Sequence, residues 1–288
     1  MIRPSLAVRG FLALGIAWCG LSEGTAAAAT GEMIDLAGRT MIFDDEFDHL
    51  SVSAHGPDTV WSAHTPWNGD FGQAAFVDPQ PGFPFTVKDG ILRIEMRRGP
   101  DGAWRSGLLS SSPGYGHGFT APYGYFEMRA RLPAGEGVWP GFWLDELVPH
   151  GSRTHSLEVD IIEHYGKFPA AYNTTVTNWD LADSHGNHSE MHIQSVPSGT
   201  LSQAFHTFGA EVSPQWVIFY FDRREIWRTP TPRRPIGGLD VLVDLGLGGG
   251  WPIDKAPPSS TMEVDYIRVY QPRAAPQERA KTVQGNTP

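Results

Sequence analysis

Apolar and polar residues alternate over many short stretches of this chain. In residues 91–98, Leu92, Ile94 and Met96 alternate with charged side chains, and residues 125–133 repeat the pattern. Further apolar stretches of similar length are VWPGFWL, WVIFYFD, LDVLVDLGL and MEVDYIRVY. A period of two residues, interrupted by Gly, Pro, Asn and Asp, is typical of antiparallel strands. The pattern therefore predicts an all-β sandwich.

The N-terminal end departs from this pattern. Arg3 and Arg9 precede an apolar stretch, Phe11–Leu21, and the small residues Ala27–Ala29 follow it. This order is typical of a signal peptide over residues 1–29, with Thr30 as the first mature residue, although an uncleaved anchor helix stays open as an alternative. The sequence therefore predicts a secreted or periplasmic protein.

The rest of the chain is expected to form one domain. Residues 30–272 are enough for a single large all-β domain, and they contain no internal repeat and no obvious linker. Residues 273–288 are polar, basic and contain proline, which predicts a flexible tail.

Charge and cysteine usage limit the partners. The chain has 288 residues and a formal net charge of −10, and it becomes more negative by one when the predicted signal peptide is removed. This charge disfavours nucleic acid and anionic membranes as partners. The only cysteine, Cys19, lies in the predicted signal peptide, so the mature protein would contain no disulfide and would depend on its core for stability. We expect a monomer with neither a membrane nor a nucleic-acid partner.

Three carboxylates lie close together in the apolar stretch HSLEVDIIEHYG, residues 155–166. Side chains two positions apart share one face of a strand, so Glu158 and Asp160 should point the same way. Glu163 follows Glu158 by five positions and would face the other side of a regular strand. One extra residue, a β-bulge near Ile161 or Ile162, would return Glu163 to the first face, and bulges are frequent beside active sites.

Carboxylates arranged in this way have a specific chemical use. Two glutamates on one face of a bulged strand can bring their carboxyl groups to about 5 Å apart, the separation typical of glycoside hydrolysis with retention. Asp160 between them would share a proton with its neighbours and raise at least one pKa, as a general acid requires. Two other interpretations stay open: a solvated acidic strand face, and an oxygen-ligand site for a hard cation.

Tryptophan residues are frequent, ten in the chain, and several lie near this stretch. An indole face can pack against a sugar ring, although a single Trp is more often part of the core. The candidates for substrate binding are Trp139, Trp143, Trp179, Trp251 and Asn68. Trp139 and Trp251 are the preferred cleft residues, whereas Trp143 lies in an apolar run and has a core position as its alternative.

Taken in order, the motifs resemble those of glycoside hydrolase family 16, which includes laminarinases, lichenases and agarases. The motifs are DDEFD, SGLLSS, YGYFEMRARLP, GVWPGFWL, EVDIIE, FHTFGAEVSPQWVIFYFD and MEVDYIRVYQ. The resemblance covers nearly all of the chain after residue 29. It implies a concanavalin-like jelly-roll sandwich of two curved antiparallel sheets, with the substrate in a concave cleft.

The resemblance also implies roles for single residues. Glu158 would be the nucleophile, Glu163 the acid/base, and Asp160 would tune the nucleophile. Asp265 stands where the family often binds a structural calcium ion, while catalysis would require no cofactor. His164 stands where tyrosine is common, which changes the surroundings of Glu163.

These observations together predict a secreted, retaining endo-β-glycanase. The expected substrate is a β-glucan or a glucose-containing exopolysaccharide. A transglycosylase or a galactanase of the same fold stays open, and so does a non-catalytic carbohydrate-binding jelly roll.

Overall fold

The computed structural model of the chain describes residues 30–114, 116–147 and 154–273. The predicted signal peptide and residues 274–288 of the predicted tail lie outside the described residues. Strands dominate, and within these residues the helical structure consists of one 3₁₀ turn, Ser184–Gly186, and one short helix, α1, Thr200–Gln203. The strands are β1 Arg39–Asp45, β2 Val52–Ser53, β3 Trp61–Ser62, β4 Ala75–Phe76, β5 Phe85–Lys88, β6 Ile91–Arg98, β7 Trp104–Ser106, β8 Leu108–Ser110, β9 Gly124–Arg131, β10 Val138–Glu146, β11 His155–Glu163, β12 Ala171–Asp180, β13 His188–Ser195, β14 His206–Val212, β15 Trp216–Phe221, β16 Arg224–Pro230, β17 Leu239–Leu247 and β18 Ser259–Pro272.

The strands form two sheets. One sheet has the order β16-β15-β14-β9-β18-β6-β7-β4, with β1 paired to β18 and β5 paired to β6. The other has the order β13-β12-β11-β10-β17-β8-β3-β2. The predicted all-β sandwich is therefore confirmed. All the long strands pair antiparallel, as predicted, but the short edge pairs β2–β3 and β4–β7 run parallel. Strands of two or three residues leave no alternating pattern from which to predict their direction.

The core lies between the two sheets, and strand alternation builds it. On β17 every second side chain is fully buried in the main apolar cluster: Leu239, Val241, Val243, Leu245 and Leu247. Full burial of an aliphatic side chain of this size stabilises the fold by about 1.5–3 kcal/mol. The intervening residues of β17, from Asp240 to Gly246, face away from the core. We call this side of the eight-stranded sheet the outer face.

A second apolar cluster lies on the outer face. It contains Trp139 and Trp143 from β10, together with Leu242, Leu108, Phe71 and Phe76. Val138, Phe142 and Leu144, the neighbours of these tryptophans on β10, pack into the main core. The strand is therefore buried on both faces, which explains why its sequence is apolar throughout.

The described part of the chain includes no helix with the length and apolar character needed to cross a membrane.

Candidate active site

The predicted β-bulge is present in β11. Along β10, Phe142 pairs with Ile162 but the next residue, Trp143, pairs with Asp160, so Ile161 is the extra residue. The register with β12 shifts at the same place, between Asp160 and Glu163. The bulge compensates for the odd spacing of the carboxylates and returns Glu163 to the outer face, as the sequence predicted.

The register aligns the outer-face residues of four strands in rows. Antiparallel partners lie side by side, so each row runs from β17 through β10 and β11 to β12. The rows are Asp240–Asp145–Glu158–Thr177, Leu242–Trp143–Asp160–Thr175 and Asp244–Gly141–Glu163–Asn173. The three predicted catalytic carboxylates therefore occupy successive rows on one face.

Glu158 is almost fully covered, with 6% of its surface exposed. The indole N–H of Trp179, on the neighbouring strand β12, donates a hydrogen bond of 3.2 Å to its Oε2. Since Trp179 was predicted only as a sugar-binding residue, this contact adds a second role, because it fixes the orientation of the carboxyl group.

Glu163 receives two hydrogen bonds on a single oxygen. The Tyr165 hydroxyl donates to Oε1 at 2.6 Å, and the Trp139 indole N–H donates to the same atom at 3.0 Å. Burial raises the pKa of Glu163, while these two hydrogen bonds act in the opposite direction. Tyr165 remains protonated, since burial and the adjacent Glu163 raise its pKa. Its ring stacks on that of Trp139 with centroids 5.9 Å apart.

Asp160 lies between the two glutamates. Burial is the main reason that its pKa lies well above the ordinary value, and the charges of Glu158 and Glu163 raise it further. The raised pKa favours the protonated form of Asp160, and a protonated carboxyl group can donate a hydrogen bond to a neighbouring carboxylate.

A depression beside Glu163 has a volume of about 290 Å³, part of it open to solvent. Its lining residues are Phe71, Trp139, Gly141, Trp143, Asp160, Ile162, Glu163 and Asp244. Asp244 accepts a hydrogen bond of 2.9 Å from the Trp143 indole N–H, and burial raises its pKa to about 8. Gly141 separates Glu163 from Asp244 in the same row, and a Cβ there would lie 3.2 Å from Asp244 Oδ1. Because Gly141 has no side chain, this part of the depression stays open.

Comparison with known proteins supports what the carboxylates indicate. Residues 82–266 match the model of the glycosyl hydrolases family 16. The chain belongs to this family. It is 31% identical to the endo-1,3-1,4-beta-glycanase EglC and 30% identical to ExsH, both from Rhizobium meliloti, and each match covers 82% of this chain and 53% of the relative. The chain thus spans about half the length of these curated relatives.

Solved structures agree with the family 16 fold. The laminarinase catalytic domain from Thermotoga maritima has a TM-score of 0.63 at 22% identity, with 81% of this chain and 98% of that chain covered. The laminarinase from Rhodothermus marinus has a TM-score of 0.63 at 23% identity, with 81% and 97% covered.

Two of the four candidate tryptophans, Trp139 and Trp179, donate hydrogen bonds to the predicted catalytic carboxylates, and a third, Trp143, donates to the neighbouring Asp244. Trp139 contacts Glu163 and Trp143 contacts Asp244, but only 6% and 4% of their surfaces are exposed. They therefore form walls of the depression and offer a sugar little free ring surface. Trp179 contacts Glu158, and Trp251 reaches the site through Tyr165, with ring centroids 6.4 Å apart.

Trp251 and Asn68 lie on loops around this site. Trp251 is partly exposed, packs edge-on against Phe168 at 4.9 Å and has the Lys167 ammonium 4.4 Å from its ring centroid. Asn68 is exposed and has a left-handed backbone, with φ of 53°. It follows Trp67, whose ring lies 6.1 Å from that of Trp143. The substrate-binding role of both residues stays a prediction.

Asp265, the predicted calcium ligand, lies on β18 in the ten-stranded sheet and forms an ion pair with Arg129. The guanidinium occupies the position next to this carboxylate that a cation would take. Among the described residues, Asp265 also belongs to no group of three metal-ligating side chains. The side chains in this arrangement do not fit a calcium ion, and calcium binding here stays a prediction.

Sequence reasoning missed three residues of the site, namely Tyr165, Asp244 and Gly141. Tyr165 lies two residues after Glu163, to which its hydroxyl donates a hydrogen bond. His164, at the position where tyrosine was expected, has no hydroxyl to donate. His164 is buried and its Nδ1 lies 3.0 Å from the carbonyl oxygen of Ala171. The sequence feature that could have identified Asp244 is its position as an acid within the apolar stretch LDVLVDLGL. Asp160 is likewise an acid within an apolar stretch, EVDIIE.

Proposed function

We propose that this chain hydrolyses internal β-glycosidic bonds of a glucose-containing polysaccharide with retention of configuration. The observation that carries this proposal is the bulge in β11, which brings Glu158, Asp160 and Glu163 to one face beside a depression lined with aromatic residues. Double displacement requires a nucleophile and an acid that flank the glycosidic bond, with their carboxyl groups about 5–5.5 Å apart.

In the first step Glu158 attacks the anomeric carbon and Glu163 gives its proton to the departing glycosidic oxygen. The glycosidic C–O bond breaks, and a covalent bond forms between the sugar and the Glu158 carboxylate. Both hydrogen bonds to Glu163 end on Oε1. Because donors of this kind favour the carbonyl-like oxygen of a carboxylic acid, the proton resides on Oε2.

In the second step Glu163, now ionised, removes a proton from water, and the oxygen of that water attacks the anomeric carbon. The bond to Glu158 breaks and its carboxylate is restored. Protonated Asp160 between the glutamates assists by donating a hydrogen bond to the departing carboxylate. Two inversions at one carbon retain the original configuration.

The relatives point to the substrate. EglC and ExsH are named endo-1,3-1,4-beta-glycanases, and both align with most of this chain. We therefore favour a β-glucan with 1,3 or 1,4 linkages, including those of an exopolysaccharide. A keratan-sulfate endo-1,4-beta-galactosidase from Sphingobacterium multivorum is 27% identical over 80% of this chain, so a galactan is the second candidate. Export by means of residues 1–29 is part of the proposal, and N-terminal sequencing of the exported protein tests it.

Azide rescue tests the mechanism. Glu158→Gly with an activated β-glycoside and sodium azide should yield the α-glycosyl azide, because azide attacks from the side that the nucleophile has vacated. Glu163→Ala should yield the β-glycosyl azide, because the covalent intermediate still forms. Glu158→Gln should lower kcat by several orders of magnitude.

Glu95→Gln is the matched control, because Glu95 lies on β6 in the other sheet and pairs with Arg97 at 3.6 Å. It should hydrolyse the substrate like wild type. Hydrolysis by Glu158→Gln at a rate near that of wild type would contradict the proposal. A panel of β-1,3, β-1,4, mixed-linkage and galactan polymers then identifies the linkage.

A further inference from the structure

A cluster of two histidines and one aspartate lies away from the carboxylates. His55, His64 and Asp78 are the one group of three such side chains among the described residues whose ligand atoms all lie within 4.8 Å of one another. His64 Nε2 and Asp78 Oδ1 are 2.8 Å apart, and the rings of His55 and His64 lie with their centroids 5.1 Å apart. Nothing in the proposed mechanism uses these residues.

The geometry points to a site for a divalent transition metal, and we propose that the cluster binds Zn²⁺. Zinc is commonly held by imidazole nitrogen and carboxylate oxygen at about 2.0–2.2 Å in a tetrahedral arrangement. The rings of His55 and His64 lie with centroids 5.1 Å apart and planes 26° apart, so the two imidazoles are close enough for both to reach one metal ion after a ring turns toward it. Three protein ligands leave the fourth position to water.

The charges around the cluster suit a dication. Asp70 lies close enough to His64 for the two side chains to interact electrostatically. Asp70 and Asp78 together would balance the two positive charges of the metal. Two imidazole ligands select a borderline metal such as zinc over calcium, which prefers six or more oxygen ligands.

The local backbone already holds the three ligands near one another. His64 follows β3, where the Ala63 N–H donates to the Ser53 carbonyl at 2.9 Å. His55 precedes Gly56, whose N–H donates to the Ser53 hydroxyl at 2.9 Å. Asp78 follows β4, where the Val77 N–H donates to the Ser106 carbonyl at 3.1 Å. The exposed His55 and Asp78 are the side chains that would rotate toward the metal.

The position in the fold indicates what the metal does. His55 and His64 belong to the β2–β3 edge of the eight-stranded sheet, whereas Asp78 follows β4 at the edge of the ten-stranded sheet. A metal bound by all three residues would link the two sheets where both end in two-residue strands. It would also fix the turn after His64, in which the N–H of the substrate-binding candidate Asn68 donates to the Thr65 carbonyl at 2.9 Å.

Zinc chloride titration of the untagged, metal-stripped full chain tests the proposal by calorimetry and thermal melting. Wild type should bind one Zn²⁺ per chain, and zinc should raise its melting temperature, because the ion binds the folded state only. His55→Ala, His64→Ala and Asp78→Asn should each weaken zinc binding at least tenfold and abolish the shift. Calcium chloride should have neither effect.

His206→Ala is the matched control. His206 Nδ1 lies 2.8 Å from Asp222 Oδ2, and this pair resembles His64–Asp78 in distance and exposure but has no second histidine. His206→Ala should bind zinc like wild type. Should His64→Ala fail to fold, the exposed His55→Ala carries the test.

Three results would overturn the proposal. The first is wild type that binds no stoichiometric zinc, and the second is zinc affinity that is unchanged in the His55 and Asp78 variants. The third is calcium binding that these variants weaken, because it would assign the cluster to a hard cation.

Discussion

In the proposed mechanism the Tyr165 hydroxyl helps to set the pH range in which Glu163 acts as the acid, and Tyr165→Phe tests this directly. The substitution removes one hydroxyl and keeps the ring that stacks on Trp139. Glu163 Oε1 then loses its 2.6 Å hydrogen bond and retains the one from Trp139 at 3.0 Å. The lost bond favours the ionised form of Glu163, so its removal raises the pKa of Glu163.

The expected size of this effect follows from the strength of the bond. A hydrogen bond to a charged group contributes about 1.5–3 kcal/mol, and one pKa unit corresponds to about 1.4 kcal/mol. The Trp139 donor remains and compensates in part, so we expect an upward shift of about one unit. Glu163 must be protonated in the first step, so the alkaline limb of kcat/KM should move to higher pH by the same amount.

The assay is the pH profile of kcat/KM on a soluble β-glucan, measured for wild type and Tyr165→Phe. Tyr172→Phe is the control, because the Tyr172 hydroxyl is buried and hydrogen-bonds to no described residue. It should leave both limbs of the profile in place. An alkaline limb of Tyr165→Phe that stays put or moves to lower pH would refute the assignment of Tyr165 as the donor that tunes Glu163.

Three more predictions follow from the same face of the sheet. Gly141→Ala should lower kcat/KM at least tenfold with little change in melting temperature, because its methyl group would enter the depression between Glu163 and Asp244, 3.2 Å from Asp244 Oδ1; unchanged kinetics would contradict this. Burial raises the pKa of Asp244 from 3.8 to about 8 in the folded protein. The contribution of Asp244 to the free energy of unfolding is therefore greatest below pH 3.8, where it is neutral in both states, and is lost as the pH rises toward 8. Asp244→Asn cannot ionise and should therefore gain stability relative to wild type between pH 5 and 9, on the order of a few kcal/mol in urea unfolding; parallel pH dependences would contradict this. Deletion of Ile162 shortens the Glu158–Glu163 spacing from five positions to four, so the strand can become regular and still keep both glutamates on the outer face. The variant should lose the bulge and shift Glu163 along the strand relative to Trp139 and Tyr165, which should lower kcat/KM more than stability; a variant structure that keeps the bulge would contradict this.

Features that depend on one strand alone could be predicted from the sequence. The pleat fixes which way each side chain points, so the spacing of Glu158, Asp160 and Glu163 was enough to predict the bulge. The alternating runs predicted the sandwich for the same reason, because each strand must bury one face. The structure confirms both.

Features that depend on register between strands were not accessible. Asp244 meets Trp143 only because β17 and β10 pair with Trp143 next to Leu242 and Gly141 next to Asp244. The burial of Trp139 depends on Phe71, which comes from a distant loop and packs against it with ring centroids 5.5 Å apart. Neither contact leaves a periodic signal, so the sequence showed an aromatic residue but not how much of its ring remained open.

The outer face gathers more acid than two-step hydrolysis needs, and the pKa shifts explain how the fold tolerates it. Asp160, Asp240 and Asp244 all have raised pKa values, with burial as the main cause. A raised pKa favours the neutral form of each group, which lowers the charge that this face of the sheet must hold. In glycoside hydrolysis the sugar develops positive charge in the transition state, and a carboxylate close to it stabilises that charge. In the proposed mechanism the Glu158 carboxylate meets this charge, and the raised pKa values of Asp160, Asp240 and Asp244 limit the number of like charges around that carboxylate.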